Sequence, residues 1–178
     1  MARIGVVGVG GMGRGHCNTL PKVDNCDFVG VADLRLEAAE EVAAQHGAAA
    51  FDDYRRLFEQ VDGVVVATPP ATHREVTVAA AEMGVHVFCE KPLSLNMADS
   101  DAMIEATDAA GVHLMVGMVL RFYPVHTLAR RLVDDGEIGR VVYIEGDYTN
   151  AYRGPRKRPE SWYGSVGGYL ENGIHKVD

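Results

Sequence analysis

The stretch from residue 3 to residue 33 reads RIGVVGVGGMGRGHCNTLPKVDNCDFVGVAD. It begins with a short β-branched run that is typical of a buried strand, passes through a glycine turn at residues 8–13, and continues as a helix over residues 12–20 that Pro21 ends. A second apolar run at residues 28–32 predicts another strand, which ends at Asp33. This order of elements predicts a unit that binds a dinucleotide.

Each glycine of the turn has a physical role in that prediction. Gly8 permits the tight turn, Gly10 has no Cβ and lets the backbone approach a pyrophosphate, and Gly13 lets the helix pack close to the strand. The helix that follows offers free N–H groups and the positive end of its dipole to the phosphates. A sharp strand-to-helix turn without a ligand is the alternative, and the position of Asp33 favours the dinucleotide.

Asp33 also bears on the choice between NAD and NADP. Its carboxylate is suited to accept hydrogen bonds from the two hydroxyls of the adenosine ribose, and it repels the extra phosphate of NADP. Arg35, two residues further on beyond Leu34, offers a positive charge to such a phosphate, or stacks on the adenine, or faces water. The sequence favours NAD over NADP.

After Asp33 the chain alternates helix and strand with short links. Strands are expected at residues 48–51, 63–67, 85–89 and 113–117, and helices at residues 36–46, 54–58, 72–83 and 97–110. The pattern predicts an α/β fold with a doubly wound, parallel Rossmann sheet over residues 1–120. Residues 121–178 are expected to begin an α+β substrate-binding and oligomerisation domain that is incomplete here, with a helix at 123–134, a strand at 140–148 and a helix from 167.

Composition narrows the classes of function. The chain has 17 basic and 25 acidic side chains, a formal net charge of −8, and no dense run of Lys and Arg, so nucleic acid is not an expected partner. No apolar run approaches the roughly 18 residues of a membrane span, and the N-terminus lacks the pattern of a signal peptide, so we expect a cytoplasmic protein. Three cysteines without CxxC spacing indicate free thiols and no metal site.

Three short polar segments follow predicted strands, at the sheet edge where doubly wound folds bind ligands. They are Thr68-Pro69-Pro70 with His73, Glu90-Lys91-Pro92, and residues 118–121. From the residues alone, an active-site Lys91 and a surface Lys91 paired with Glu90 are equally good interpretations.

Taken together, these motifs resemble the Gfo/Idh/MocA family of NAD(P)-dependent oxidoreductases, which includes glucose–fructose oxidoreductase and inositol 2-dehydrogenase. The resemblance extends over the whole chain in the right order and continues through residues 121–124 (RFYP) and 167–175 (GGYLENGIH) with Asp178. The Glu-Lys-Pro motif at a strand end is its most specific element. Because family members exceed three hundred residues, the resemblance implies that this chain is the N-terminal portion of a longer protein or a truncated gene product.

The resemblance implies roles for individual residues. Lys91 is the expected active-site lysine beside the nicotinamide, and His175 is the expected general acid/base, with a locally packed helix histidine as its alternative. Glu171 stands where the family usually has Asp, one methylene longer, and is the third catalytic candidate. The expected cofactor-binding residues are Gly8, Gly10, Gly11, Met12, Gly13, Asp33, Leu34, Arg35, Thr68, Pro69, His73, Glu90 and Lys91. The expected substrate-binding residues are Lys91, Arg121, Asn172 and His175.

The expected activity is hydride transfer between NAD(P) and a sugar, an inositol or a related polyol. Oxidation of an alcohol needs a group that takes the proton, a cation beside the forming alkoxide, and a hydride acceptor. Two alternatives stay open: an NAD-dependent glycosidase of the same family, and a nucleotide-binding module without catalysis. The resemblance also implies a homo-oligomer.

Overall fold

The computed structural model describes residues 1–145, and the chain divides into two compact units, residues 1–117 and 118–178. The predicted helix from residue 167 lies outside the described residues. So do the site candidates Glu171, Asn172 and His175. The assignment of the second unit to a substrate-binding domain stays a prediction.

The first unit is built on one sheet of six parallel strands in the order β3-β2-β1-β4-β5-β6. The strands are β1 (Ala2–Val7), β2 (Cys26–Ala32), β3 (Ala49–Phe51), β4 (Gly63–Val66), β5 (His86–Cys89) and β6 (Leu114–Val116). The order reverses between β1 and β4, and such a reversal opens a crevice at the carboxyl ends of the strands. This topology confirms the predicted doubly wound fold.

Five helices connect the strands. They are α1 (Gly11–Thr19), α2 (Leu36–His46), α3 (Tyr54–Phe58), α4 (His73–Glu82) and α5 (Met97–Ala110), with 3-10 turns at Leu20–Lys22 and Pro70–Thr72. The predicted bounds hold for α2, α3 and α5 and shift by one or two residues elsewhere. The start of β2 is two residues earlier than predicted, because Cys26 pairs with Ala2 at the first rung of the β1–β2 ladder.

The core consists of two apolar clusters. Alternate residues of the central strands belong to different clusters: Val6 and Val65 to one, Val7 and Val66 to the other. Successive side chains of a strand point to opposite faces, so the two clusters lie on opposite faces of the sheet. Burial on both faces is the reason that these strands read as continuous apolar runs.

The second unit contains a 3-10 turn at Val119–Phe122 and helix α6 (Pro124–Asp134). The predicted strand at residues 140–148 is wrong over 140–145, where no strand forms, and its last three residues lie outside the described chain. Val142 is 81% exposed and Ile144 is 80% exposed. A strand is stabilised by hydrogen bonds to a neighbouring strand, and residues 118–145 contain no strand for this segment to pair with.

The described residues also bear on the predictions about membranes, metals and thiols. Between residues 1 and 145 no helix is long and apolar enough to cross a membrane, and no group of three or more His, Cys, Asp or Glu side chains is arranged to hold a metal ion. Cys17, Cys26 and Cys89 are free thiols, as predicted. Burial raises the pKa of Cys89 to about 12 and that of Cys17 to about 11, so neither buried thiol is ionised near neutral pH.

Candidate cofactor-binding and active site

The glycine turn after β1 is fixed by crowding of the backbone. Gly8 has φ of +91°, and a Cβ built on it would lie 2.8 Å from the carbonyl oxygen of Ala67. A Cβ on Gly13 would clash with the carbonyl oxygen of Gly8. Both positions therefore require glycine for the shape of the turn, as the sequence predicted.

The space in front of the turn is open. A Cβ built on Gly10 or Gly11 would meet nothing within 4 Å, and the half-exposed side chain of Met12 follows. Helix α1 begins at Gly11, has Gly10 as its N-cap without a side-chain cap, and carries no acidic residue in its first turn. Uncapped N–H groups at the positive end of a helix suit a diphosphate, so the residues present fit the pyrophosphate of a dinucleotide.

Asp33, at the end of β2, is joined directly to the turn. Its Oδ2 accepts a hydrogen bond from the Val9 N–H at 2.9 Å, and its Oδ1 accepts one from the Arg35 N–H at 3.0 Å. A carboxylate has about four lone-pair sites, so both oxygens keep capacity for ribose hydroxyls. The two amides fix the orientation of the carboxylate beside the turn.

The two residues after Asp33 are open to solvent. Leu34 is 93% exposed, and the Arg35 side chain is 74% exposed, with its Nε 3.8 Å from Asp33 Oδ1. Both side chains are accessible to an adenine ring or a ribose phosphate.

His73 connects the loop after β4 with the loop after β5. Its ring is fully buried; Nε2 lies 2.9 Å from the carbonyl oxygen of Thr68, and Nδ1 lies 3.0 Å and 3.1 Å from those of Pro92 and Leu93. Because the His73 ring has no exposed surface, it can shape a cofactor cleft only by holding the two loops that it joins. Within the part of the chain that the structure describes, the buried Thr68 Oγ1 has no hydrogen-bond partner, which leaves a polar atom for a ligand.

Glu90 and Lys91 form a second fixed turn. Glu90 is 8% exposed, its Oε1 lies 2.8 Å from His16 Nε2, and its Oε2 accepts a hydrogen bond from the Lys91 N–H at 3.2 Å. Burial by itself raises the pKa of Glu90, but the hydrogen bond and charge of His16 and the Lys91 N–H outweigh it and hold the pKa below its usual value. The carboxylate is therefore ionised beside the half-buried Lys91.

All the cofactor-binding candidates lie in the first unit, in the segments that follow β1, β2, β4 and β5. Arg121 lies in the second unit, in its 3-10 turn, and its role stays a prediction. His16 was not predicted as a site residue from the sequence. The available signal was its position three residues after Gly13, which places the two residues on the same side of α1.

A family model and known proteins match this arrangement. The Gfo/Idh/MocA model, which describes an oxidoreductase family with an NAD-binding Rossmann fold, matches residues 2–118. Myo-inositol 2-dehydrogenase from Thermotoga maritima is 36% identical over 182 residues, which cover 99% of this chain and 53% of that protein. The NAD(+)-dependent scyllo-inositol 2-dehydrogenase from Bacillus subtilis is 34% identical over 181 residues, 99% of this chain and 52% of that protein. The chain thus spans about half the length of the curated relatives it matches.

A solved structure with a bound cofactor has the same fold. The WlbA dehydrogenase from Bordetella pertussis, in complex with NADH and UDP-GlcNAcA, superposes with a TM-score of 0.73 at 30% identity. The superposition covers 78% of this chain and 43% of that one.

Proposed function

We propose that this chain, which belongs to the Gfo/Idh/MocA oxidoreductase family with an NAD-binding Rossmann fold, takes part in the NAD-dependent oxidation of a hydroxyl group on a sugar, an inositol or a related polyol. One observation carries the proposal: the glycine turn, Asp33 and Lys91 follow β1, β2 and β5 of a single parallel sheet. The inositol dehydrogenases among its relatives support the substrate class.

NAD is proposed over NADP because of the position of Asp33. Its carboxylate is oriented by the Val9 and Arg35 amides and would face the ribose hydroxyls of NAD. The additional phosphate of NADP would bring negative charge against this carboxylate. Arg35, whose side chain is largely exposed, would offset only part of that repulsion.

The proposed chemistry divides between the cofactor and the residues of the chain. A bound NAD would supply the acceptor for the hydride that leaves the oxidised carbon. The Lys91 ammonium would stabilise the negative charge that develops on the substrate oxygen. His175 would take the hydroxyl proton, because a neutral imidazole is a base suited to pH near 7. Glu171, Asn172 and Arg121 would orient the substrate through its other hydroxyls.

Two measurements test the proposal. Calorimetry on the chain is expected to detect NAD binding more strongly than NADP binding. Lys91→Ala is then expected to change the NAD dissociation constant by less than about tenfold and to lower turnover by the complete gene product at least about a hundredfold, the usual size of an acid–base or electrostatic contribution. Turnover is followed by nicotinamide absorbance in a screen of sugars and inositols.

Lys22→Ala is the matched control, because Lys22 is an exposed lysine in the 3-10 turn after α1. Lys22→Ala should leave both binding and turnover unchanged. Full activity of Lys91→Ala would disprove the role given to Lys91. Turnover without net consumption of NAD would favour the glycosidase alternative, and NAD binding without any turnover would favour the non-catalytic module. The homo-oligomeric state and the cytoplasmic location stay predictions from the sequence.

A further inference from the structure

We propose that His16 is a positioning residue of the active site. Through the Glu90 carboxylate, His16 fixes the backbone at Lys91. It thereby connects the lysine to α1, the helix that starts at the glycine turn of residues 8–13, the cofactor turn. The consequence for turnover rests on the proposed function, whereas the contact itself involves no ligand.

The Glu90 carboxylate is held from two sides. His16 Nε2 lies 2.8 Å from Oε1, and the Lys91 N–H donates to Oε2 over 3.2 Å. The two partners come from different elements, since His16 belongs to α1 and Lys91 follows β5. The carboxylate therefore bridges a helix and a loop that are 74 residues apart in sequence.

Burial makes both contacts necessary. Only 8% of Glu90 is exposed, and a buried carboxylate is costly unless hydrogen bonds compensate for the lost water. If the His16 ring lost its N–H, the carboxylate would have to turn toward solvent to recover a donor. That rotation would break the hydrogen bond to the Lys91 N–H.

The His16 ring is itself fixed against β5. It meets the Phe88 ring edge-on, with the centroids 5.5 Å apart and an interplanar angle of 67°. Phe88 and Glu90 are two residues apart and so point to the same side of the strand. His16 thus makes two contacts there, one through its ring to Phe88 in β5 and one through Nε2 to Glu90 directly after the strand, and its side chain is 24% exposed.

The position of His16 on α1 links its contact with Glu90 to the cofactor turn. Helix α1 starts at Gly11, beside the open space in front of the cofactor turn, and His16 lies in its last turn. The same rigid helix contains Gly11 and His16. It therefore supports both the turn that faces the diphosphate and, through Glu90, the backbone of Lys91. A displacement of about 1 Å at a reacting group lowers a rate by about a hundredfold, so this support is expected to act on turnover more than on NAD affinity.

The test compares substitutions at two histidines. His16→Phe keeps the ring against Phe88 but has no N–H, and His16→Gln keeps a donor near the place of Nε2. His46→Phe is the matched control, because His46 also meets a phenylalanine edge-on, Phe28 at 5.7 Å and 73°. Amide hydrogen exchange at Lys91, measured by NMR on the chain without NAD, is expected to be at least about tenfold faster in His16→Phe. His16→Gln should recover most of the protection, and His46→Phe should match the wild type.

Kinetics give the second measurement. In the complete gene product, His16→Phe is expected to lower kcat by about tenfold to a hundredfold, while the NAD dissociation constant stays within about threefold. Should His16→Phe fail to fold, His16→Asn, whose shorter amide falls short of Glu90, takes its place in both measurements.

The inference is overturned if Lys91 exchanges as slowly in a folded His16→Phe as in the wild type. A weakened NAD affinity with unchanged kcat would also overturn it, because His16 would then contact the cofactor. Absence of NAD binding by the wild-type chain would instead refute the proposed function. The exchange experiment still decides the role of His16 in that case, because it needs neither cofactor nor turnover.

Discussion

The turn after β1 (residues 8–13, the cofactor turn) and the turn after β5 (residues 90–92, the lysine turn) lie at the same edge of one sheet, but they are held by different means. The cofactor turn is held by close backbone contacts: a Cβ on Gly13 would clash with the carbonyl oxygen of Gly8 in the same turn, and a Cβ on Gly8 would lie 2.8 Å from the carbonyl oxygen of Ala67. The lysine turn is held by side chains from elsewhere in the sequence: His16, 74 residues from Glu90, and His73, 19 residues from Pro92. A turn that is crowded by backbone atoms requires glycine and is therefore visible in a short glycine motif, whereas a turn that is held by the side chains of distant residues leaves no such motif.

The largest effect is expected from Gly13→Ala. The new methyl group would clash with the carbonyl oxygen of Gly8, which is backbone and cannot swing away. The turn and the start of α1 must separate, so we expect a loss of at least about 3 kcal/mol in the free energy of unfolding, measured with urea, and NAD binding weakened beyond detection by calorimetry.

Gly15→Ala is the control on the same helix, because a Cβ there would meet nothing within 4 Å. Alanine has a higher helix propensity than glycine, so Gly15→Ala should raise the free energy of unfolding by up to about 1 kcal/mol and leave NAD affinity unchanged. Equal behaviour of the two variants would contradict the claim that crowding fixes the cofactor turn.

The next effect concerns the support of the lysine turn. His73→Phe keeps a buried ring but leaves the carbonyl oxygens of Thr68, Pro92 and Leu93 without the imidazole that they contact. The imidazole carries at least one N–H, and a buried acceptor that loses its donor is costly, so we expect the free energy of unfolding to fall by about 1 to 3 kcal/mol. Substrate turnover should fall as well, because the loop that contains Lys91 and Pro92 loses its contact with the imidazole.

His126→Phe supplies the comparison, since His126 is an exposed histidine of α6. It should change stability by less than about 0.5 kcal/mol. If His73→Phe were as stable as this control, the loops after β4 and β5 would be held by something other than the imidazole.

These differences explain how much of the molecule could be predicted from its sequence. The order of strands and helices and the need for glycine at positions 8 and 13 were predictable, because apolar runs and glycine spacing are visible in the sequence itself. The role of Asp33 toward the ribose stays a prediction. The contacts of His16 and His73 were not, because a histidine becomes a support only when folding brings it to Glu90 or to three carbonyl oxygens. The strand at 140–148 was predicted from local alternation and failed over 140–145, because pairing depends on a neighbour that the pattern does not contain.

The smallest effect separates the two turns by their response to pH. Residues 8–13 contain no titratable side chain of their own and meet one carboxylate, Asp33, through the Val9 N–H, whereas the lysine turn itself contains the buried carboxylate of Glu90, which faces His16 and Lys91. Burial opposes ionisation of Glu90, but these partners hold its pKa in the folded protein below the usual value. A group with a depressed folded pKa contributes stability that is present above its unfolded pKa, about 4.3 for Glu, and is lost as the pH falls through its folded pKa.

Glu90→Gln removes this contribution. The ionisation of Glu90 is therefore expected to give a constant difference in the free energy of unfolding between the wild type and Glu90→Gln from about pH 7 to pH 5. This difference should shrink as the pH falls below about 4.3. Glu105→Gln, which removes an exposed carboxylate of α5, corrects for the general effect of one fewer acid. Urea titrations at each pH give the three curves. A difference that stays flat or grows on acidification would show that the carboxylate is not stabilised in its ionised form. The lysine turn would then be held by packing and not by the charge of Glu90.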